Sequence, residues 1–260
     1  MDSFHVLIIG GTHGAGRELV RLLSAQGGKV SVVGRRLPRE DDASLSGVSF
    51  FQADITDTEN LSQMIQDAVA TNGAFNGIAF FQRFRSDKDD WDGEIAVSLT
   101  ATKNIIDLAV PYFVPEGNKS IVAVSSIAGQ FIASEQPVSY HIGKSGIEQI
   151  VRYYAVTLGA QGIRVNCVRP GSMLKEESKQ FYLENKSLTD LYSKLTPLGR
   201  MGTSEECANV VEFLLSDKAS FVTGQQLTMD GGVSLQWPEG ICRDLAGLNV
   251  NVTRKNDKEE

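Results

Sequence analysis

The chain has 260 residues, 42% of them hydrophobic and 22% charged, enough to bury a substantial core as one large α/β domain or two small ones. Its net charge of -7 excludes a broadly basic surface of the kind that binds nucleic acid. No apolar run approaches the ~18 residues of a membrane span, MDSFHVLIIG is unlike a signal peptide, and the three separated cysteines, Cys167, Cys207 and Cys242, fit reduced buried thiols better than disulfides or a zinc site. The expected location is therefore cytoplasmic.

In chain order, HVLII at 5–9 predicts a buried strand that runs into Gly10-Gly11-Thr12-His13-Gly14-Ala15-Gly16, with a helix following over 14–25. Glycines at 10, 14 and 16 supply a tight turn, close backbone approach to a pyrophosphate and close helix packing, and the helix N-terminus faces the anion. A second strand at 29–33 ends in Gly34-Arg35-Arg36. An acid at that point would accept from the 2′-hydroxyl of an adenosine ribose, whereas arginines favour a 2′-phosphate, so NADP(H) is preferred over NAD(H). Residues 36–46, with Pro38 and the acids 40–42, read as a surface loop.

Further strands are predicted at 49–53, 77–81, 120–125, 164–168 and 225–229, alternating with helices at 58–71, 92–110, 138–158 and 204–215. Seven buried strands in such alternation imply right-handed βαβ units and a parallel sheet covered on both faces, an α/β, doubly wound, Rossmann-type three-layer sandwich. No linker or internal repeat divides the chain, so one domain is expected over residues 1–250, with 251–260 as a frayed tail. Residues 171–200 carry polar, weakly amphipathic helices and are placed as a flap over a substrate.

SYHIGKSG at 139–146 puts Tyr140 and Lys144 one helical turn apart on one face. An ammonium beside a phenol favours the phenol's ionised form, which is what a proton donor and acceptor needs. Taken alone, the pair is equally two polar residues on a helix.

The order of the motifs resembles the short-chain dehydrogenase/reductase family in its single-domain form, over roughly residues 5–232. The glycine loop comes first, Asp54-Ile55 follows the third strand, and IVAVSSIAG at 121–129 carries a serine. Tyr140-x-x-x-Lys144, Arg169-Pro170-Gly171, PLGRMG at 197–202 and TGQQLTMDGG at 223–232 complete the series. The resemblance implies that Tyr140 donates the proton, that Lys144 supports it and bonds the nicotinamide ribose, and that Ser126, in preference to Ser125, holds the carbonyl oxygen. It further implies that Thr12, His13 and Ala15 of the loop line the cofactor. Asp54 and Ile55 would meet its adenine, and Gln82, Pro170, Gly171 and Met173 its nicotinamide half.

Three departures stand out. The family's Asn-Asn-Ala-Gly after the fourth strand is Phe80-Phe81-Gln82-Arg83 here, bulky residues where small ones let the ribose approach. Ser98 takes the place of a helix-bending catalytic asparagine, and serine can bend a helix by bonding back to a carbonyl. Lys175 replaces a threonine that meets the cofactor carboxamide and, with Arg83 and Arg85, would make a cationic mouth for an anionic substrate.

The expectation is an NADP(H)-dependent reductase or dehydrogenase acting on a small-molecule carbonyl or alcohol, with no metal, assembled as a homodimer or homotetramer. The alternative is a dinucleotide-holding sensor or scaffold with little turnover.

Overall fold

The computed structural model describes residues 4–248. Its strands are β1 (His5–Ile9), β2 (Lys29–Gly34), β3 (Val48–Gln52), β4 (Gly77–Phe80), β5 (Lys119–Val124), β6 (Ile163–Pro170), the short β7 (Met173–Leu174) and β8 (Gly202–Thr203), and β9 (Gln226–Met229). Seven of them form one parallel sheet in the order β3-β2-β1-β4-β5-β6-β9, while β7 and β8 pair with each other outside it. The doubly wound α/β sandwich predicted from the alternation is the observed fold.

Side-chain direction along β1 explains the layers. Leu7 and Ile9 enter a core with Leu61 and Ile65 of α3 (Thr58–Asn72), Ile105 of α5 (Ala101–Ala109) and Ile147 of α6 (Val138–Thr157). Val6 and Ile8 point the other way, onto Leu19 and Val20 of α1 (Gly14–Ala25) and Val211 and Leu214 of α9 (Ser204–Leu215). A strand buried on both faces needs a continuous apolar run, which Val6 to Ile9 supply after the buried His5. Each such buried aliphatic side chain stabilises the fold by ~1.5–3 kcal/mol.

Several boundaries differ from expectation. The segment at 36–46 is not all loop: it holds α2 (Glu40–Ala43), because Asp42 turns inward to accept hydrogen bonds from Arg17 Nε at 2.5 Å and Arg21 Nε at 2.7 Å, both on α1. The helix expected over 92–110 begins as α4 (Trp91–Glu94), widens into a π-helical stretch at Ile95–Thr100, and resumes as α5. The 171–200 segment carries α7 (Lys179–Glu184) and α8 (Lys186–Leu195), as its polar periodicity suggested. A short α10 (Pro238–Leu245), with proline in its first turn, follows the last strand. The tail expected from residue 251 lies outside the described residues. Among those described, no helix is long and apolar enough to cross a membrane.

Sheet order reverses between β1 and β4, and the crevice left at their C-terminal ends is where ligands bind in open α/β sheets. The glycine loop, Arg35 and Arg36, Asp54 and Ile55, Gln82 and Ser126 stand on loops that leave this edge, while Tyr140 and Lys144 lie on α6 and Ser98 on the π-helical stretch.

Candidate active site

The glycine loop leaves β1 with Gly10 at φ +85°, its N–H bonded to Val33 O at 2.8 Å. A Cβ on Gly10 would meet Gln82 N at 2.9 Å, and one on Gly16 would meet Gly10 O at 2.4 Å. The loop is thus closed against its own backbone and against the strand beside it. Gly14, at φ +52°, has only Ser204 Oγ near its imagined Cβ, at 4.0 Å, so its open face is a cradle that a side chain would fill. The His13 side chain makes no capping bond to α1 and no acid stands in the first turn, so the positive helix end suits an anion. These residues fit a dinucleotide.

At the end of β2, His13 Nδ1 lies 3.0 Å from Thr12 Oγ1, and Arg36 Nη1 lies 3.5 Å from His13 Nε2. Arginine only donates, so Nε2 accepts and Nδ1–H donates to Thr12. Arg35 is exposed beside them. The nearby acid Asp42 is spent on two arginines of α1, so it offers nothing to a ribose hydroxyl. Asp54 accepts from the Thr56 amide at 3.0 Å and hydroxyl at 2.7 Å, bonds that hold its carboxyl below the usual range. Ile55, next to it, is buried.

Tyr140 opens the exposed end of α6, and the Lys144 ammonium lies 5.6 Å from its ring centroid. Lys144 is 4% exposed, and its Nζ donates to Val124 O at 3.3 Å. With no carboxylate bridging it among the described residues, this buried cation retains donors for a hydroxyl-bearing ligand. The two serines after β5 separate cleanly. Ser125 Oγ is buried, 3.1 Å from both Lys144 O and Glu148 Oε1. Ser126 is half-buried and accepts from Ala128 N at 3.2 Å, which leaves its hydroxyl proton uncommitted. Ser145 Oγ, donating to Gly129 O at 2.8 Å, pins the Ser126 turn to α6.

Behind Ser125 stands a pair that motif reading passed over. Arg169 reaches Glu148 through Nε at 2.8 Å and Nη2 at 2.5 Å, and donates to Gln130 Oε1 at 2.7 Å. Glu148 follows Lys144 by one further turn on the Tyr140 face, and that spacing of four was a signal available in the sequence. Burial of such a pair without its partner is costly, so it locks β6, α6 and the serine turn together. His141 adds a second brace, accepting from Ala133 N and contacting Pro137 O, both at 3.0 Å.

The departures resolve differently from one another. Phe80 fills the core on the α5 side of the sheet and Phe81 packs against the core on the other, so neither crowds the crevice. Gln82 donates to Thr102 Oγ1 at 2.7 Å, while its Oε1 is buried with no partner. Ser98 does not bend its helix by bonding back to a carbonyl. Its hydroxyl donates to the Glu94 carboxylate at 2.5 Å, and it is Thr102 that bonds back to Ser98 O, at 2.7 Å. The backbone there takes a π-helical turn instead. Of the three expected mouth cations, Arg83 alone is seen over Tyr140, its Cζ 5.2 Å from the ring centroid. Lys175 lies within electrostatic reach of Cys207 on α9. Pro170 ends β6, Gly171 packs on Asp230, where a Cβ would come within 2.8 Å, and Met173 pairs with Gly202.

Comparison with known proteins agrees with this geometry. Residues 10–234 match the family model described as enoyl-(acyl carrier protein) reductase. The chain is 30% identical over 243 residues to a 3-oxoacyl-[acyl-carrier-protein] reductase FabG of Thermotoga maritima, covering 87% of this chain and 96% of that protein. It is 28% identical over 242 residues to dehydrogenase/reductase SDR family member 4 of Mus musculus, covering 87% and 85%. The solved structure of a short-chain type dehydrogenase/reductase from Mycobacterium ulcerans superposes with a TM-score of 0.78 at 28% identity, over 90% of this chain and 92% of that one. With the glycine cradle, the Tyr140–Lys144 pair and the serine turn gathered at one edge of a seven-stranded parallel sheet, the chain belongs to the short-chain dehydrogenase/reductase family of oxidoreductases.

Proposed function

We propose that this protein is an NADP(H)-dependent oxidoreductase that interconverts a carbonyl and a secondary alcohol on a small or medium organic substrate. The observation that carries the reading is the buried Lys144 ammonium beside Tyr140, with the Ser126 hydroxyl held on the adjoining turn. The cofactor supplies or recovers the hydride. Tyr140 delivers the proton as charge develops on the substrate oxygen, and Ser126 donates a hydrogen bond to that oxygen. Lys144 lies beside the Tyr140 ring, and its remaining donors would bond the ribose of the bound cofactor. Ser98 acts through the helix, as a positioning residue in the π-helical turn that packs on α6.

Arg35 and Arg36 support the preference for NADP(H) over NAD(H), since they present cationic donor groups with no acid between them, and His13 accepts from Arg36 beside the loop. Gly10, Thr12, Gly14, Ala15 and Gly16 would hold the pyrophosphate, Asp54 and Ile55 the adenine side, and Gln82, Pro170, Gly171 and Met173 the nicotinamide half. We place the protein in the cytoplasm as a homodimer or homotetramer, with the exposed Tyr153 and Val156 of α6 and Leu227 of β9 as the faces between copies. A second reading, a dinucleotide-binding sensor with little turnover, is favoured by the arginine over Tyr140 and by the serine in place of asparagine.

Tyr140→Phe separates the two. It keeps the ring, so NADPH should still bind, while carbonyl reduction falls by roughly 10² to 10⁴ fold. Unchanged turnover at saturating NADPH would remove Tyr140 from the chemistry, and tight NADPH binding with no carbonyl compound consumed by the parent would establish the sensor.

A further inference from the structure

Arg83 stands where its relatives' backbone is expected to carry glycine, and its guanidinium lies 5.2 Å from the centroid of the Tyr140 ring. That height suits a cation over an aromatic face. The contact holds the group over the tyrosine ring without spending its donors. Among the described residues no carboxylate pairs with Arg83 and no carbonyl accepts from it. Of the acids that follow it, Asp90 caps α4 through Gly93 N at 2.9 Å and Glu94 is buried on Ser98, while Asp87 and Asp89 are exposed and make no ion pair with Arg83 among the described residues. An exposed arginine over this tyrosine ring, with no ion pair among the described residues, keeps a planar fork of N–H groups available to a ligand.

We infer that Arg83 is a specificity-determining residue, and that it binds a substrate carboxylate one or two carbons from the reacting carbonyl. The substrate class is then a 2- or 3-oxo acid and the matching hydroxy acid. A carboxylate matches the fork with two parallel hydrogen bonds, which a neutral ketone or an ester does not. The rest of the site agrees in charge: the second side chain seen over the Tyr140 ring among the described residues is Lys144, and it too is basic. The carboxylate is a handle, unchanged by the reaction, and it aligns the keto oxygen with Tyr140 and Ser126. This inference rests on the proposed role of Tyr140 as proton donor.

The test uses the full-length protein with NADPH and two matched pairs, 2-oxobutyrate and acetoacetate against their methyl esters. For the parent, kcat/KM should favour each acid over its ester by about 10 to 150 fold, the range of a charge-assisted contact. Arg83→Gln should bring that ratio near one, mainly through KM, and Arg83→Lys should recover part of it, because charge returns without the fork. Equal use of acid and ester by the parent overturns the inference. So does a loss of NADPH affinity in Arg83→Gln measured without substrate, since the guanidinium would then be holding the cofactor's phosphates. If no carbonyl compound is consumed at all, the activity reading fails, and calorimetry still judges Arg83. Binding of 2- or 3-hydroxybutyrate, but not of the methyl esters, to the NADP⁺-saturated parent and its loss in Arg83→Gln supports the carboxylate site; absence of such binding to the parent overturns it.

Discussion

His5 offers a sharp test of the packing beneath the nucleotide loop. It begins β1, is 1% exposed, and stands between Gly73 O at 2.8 Å from Nδ1 and Ser31 Oγ at 2.9 Å from Nε2. A carbonyl only accepts, so Nδ1 carries the proton and Nε2 accepts from the Ser31 hydroxyl, which in turn accepts from Asn72. Protonating Nε2 would put a charge in a buried place and oppose two donors. Burial first, against the Gly73 bond and with help from the Lys29 charge, lowers the histidine from 6.5 to about 4. Between those values the unfolded chain binds more protons than the folded one, so stability rises with pH there. The contribution is complete above 6.5 and is lost as pH falls toward 4. Its full extent is about 3 kcal/mol, of which about 2 kcal/mol should vanish between pH ~7.5 and pH ~5. Urea unfolding across that window should show His5→Gln with a shallower loss than the parent, whatever its absolute stability. Parallel slopes for the two proteins would refute the account of a neutral, buried His5.

Two further outcomes follow from the loop and its rim. Gly16→Ala drives a methyl to 2.4 Å from Gly10 O, so the loop backbone must move; thermal melting should show a loss of ~1–3 kcal/mol, and NADPH should protect the variant less than the parent. If Arg35 and Arg36 read a 2′-phosphate, calorimetry should find NADPH bound roughly 10 to 150 fold more tightly than NADH, with the preference gone in Arg35→Asp; equal affinities in the parent would end that assignment.

Much of the molecule was legible from local pattern. Val6 to Ile9 are apolar at every position because both faces of β1 are covered, and the spacing of Gly10, Gly14 and Gly16 encodes a turn that only residues without Cβ can close. Tyr140 and Lys144 share a face by helical geometry alone, so their adjacency needed no tertiary information. What chain neighbours could not decide was where side chains distant in sequence meet. Phe80 and Phe81 looked obstructive beside the glycine loop, but successive residues leave a strand on opposite sides, and each found a core to fill. A serine such as Ser98 can bend its helix through a carbonyl, but Glu94, one turn earlier, takes the hydroxyl, because a buried carboxylate needs a donor. The α2 turn exists only because Arg17 and Arg21 draw Asp42 inward across more than twenty residues. Arg169 and Glu148 belong to different elements, and Arg83 meets Tyr140 from a loop 57 positions away. Charges and hydroxyls are recruited by whichever partner the packed sheet brings within hydrogen-bond reach, and that proximity exists only in the folded molecule.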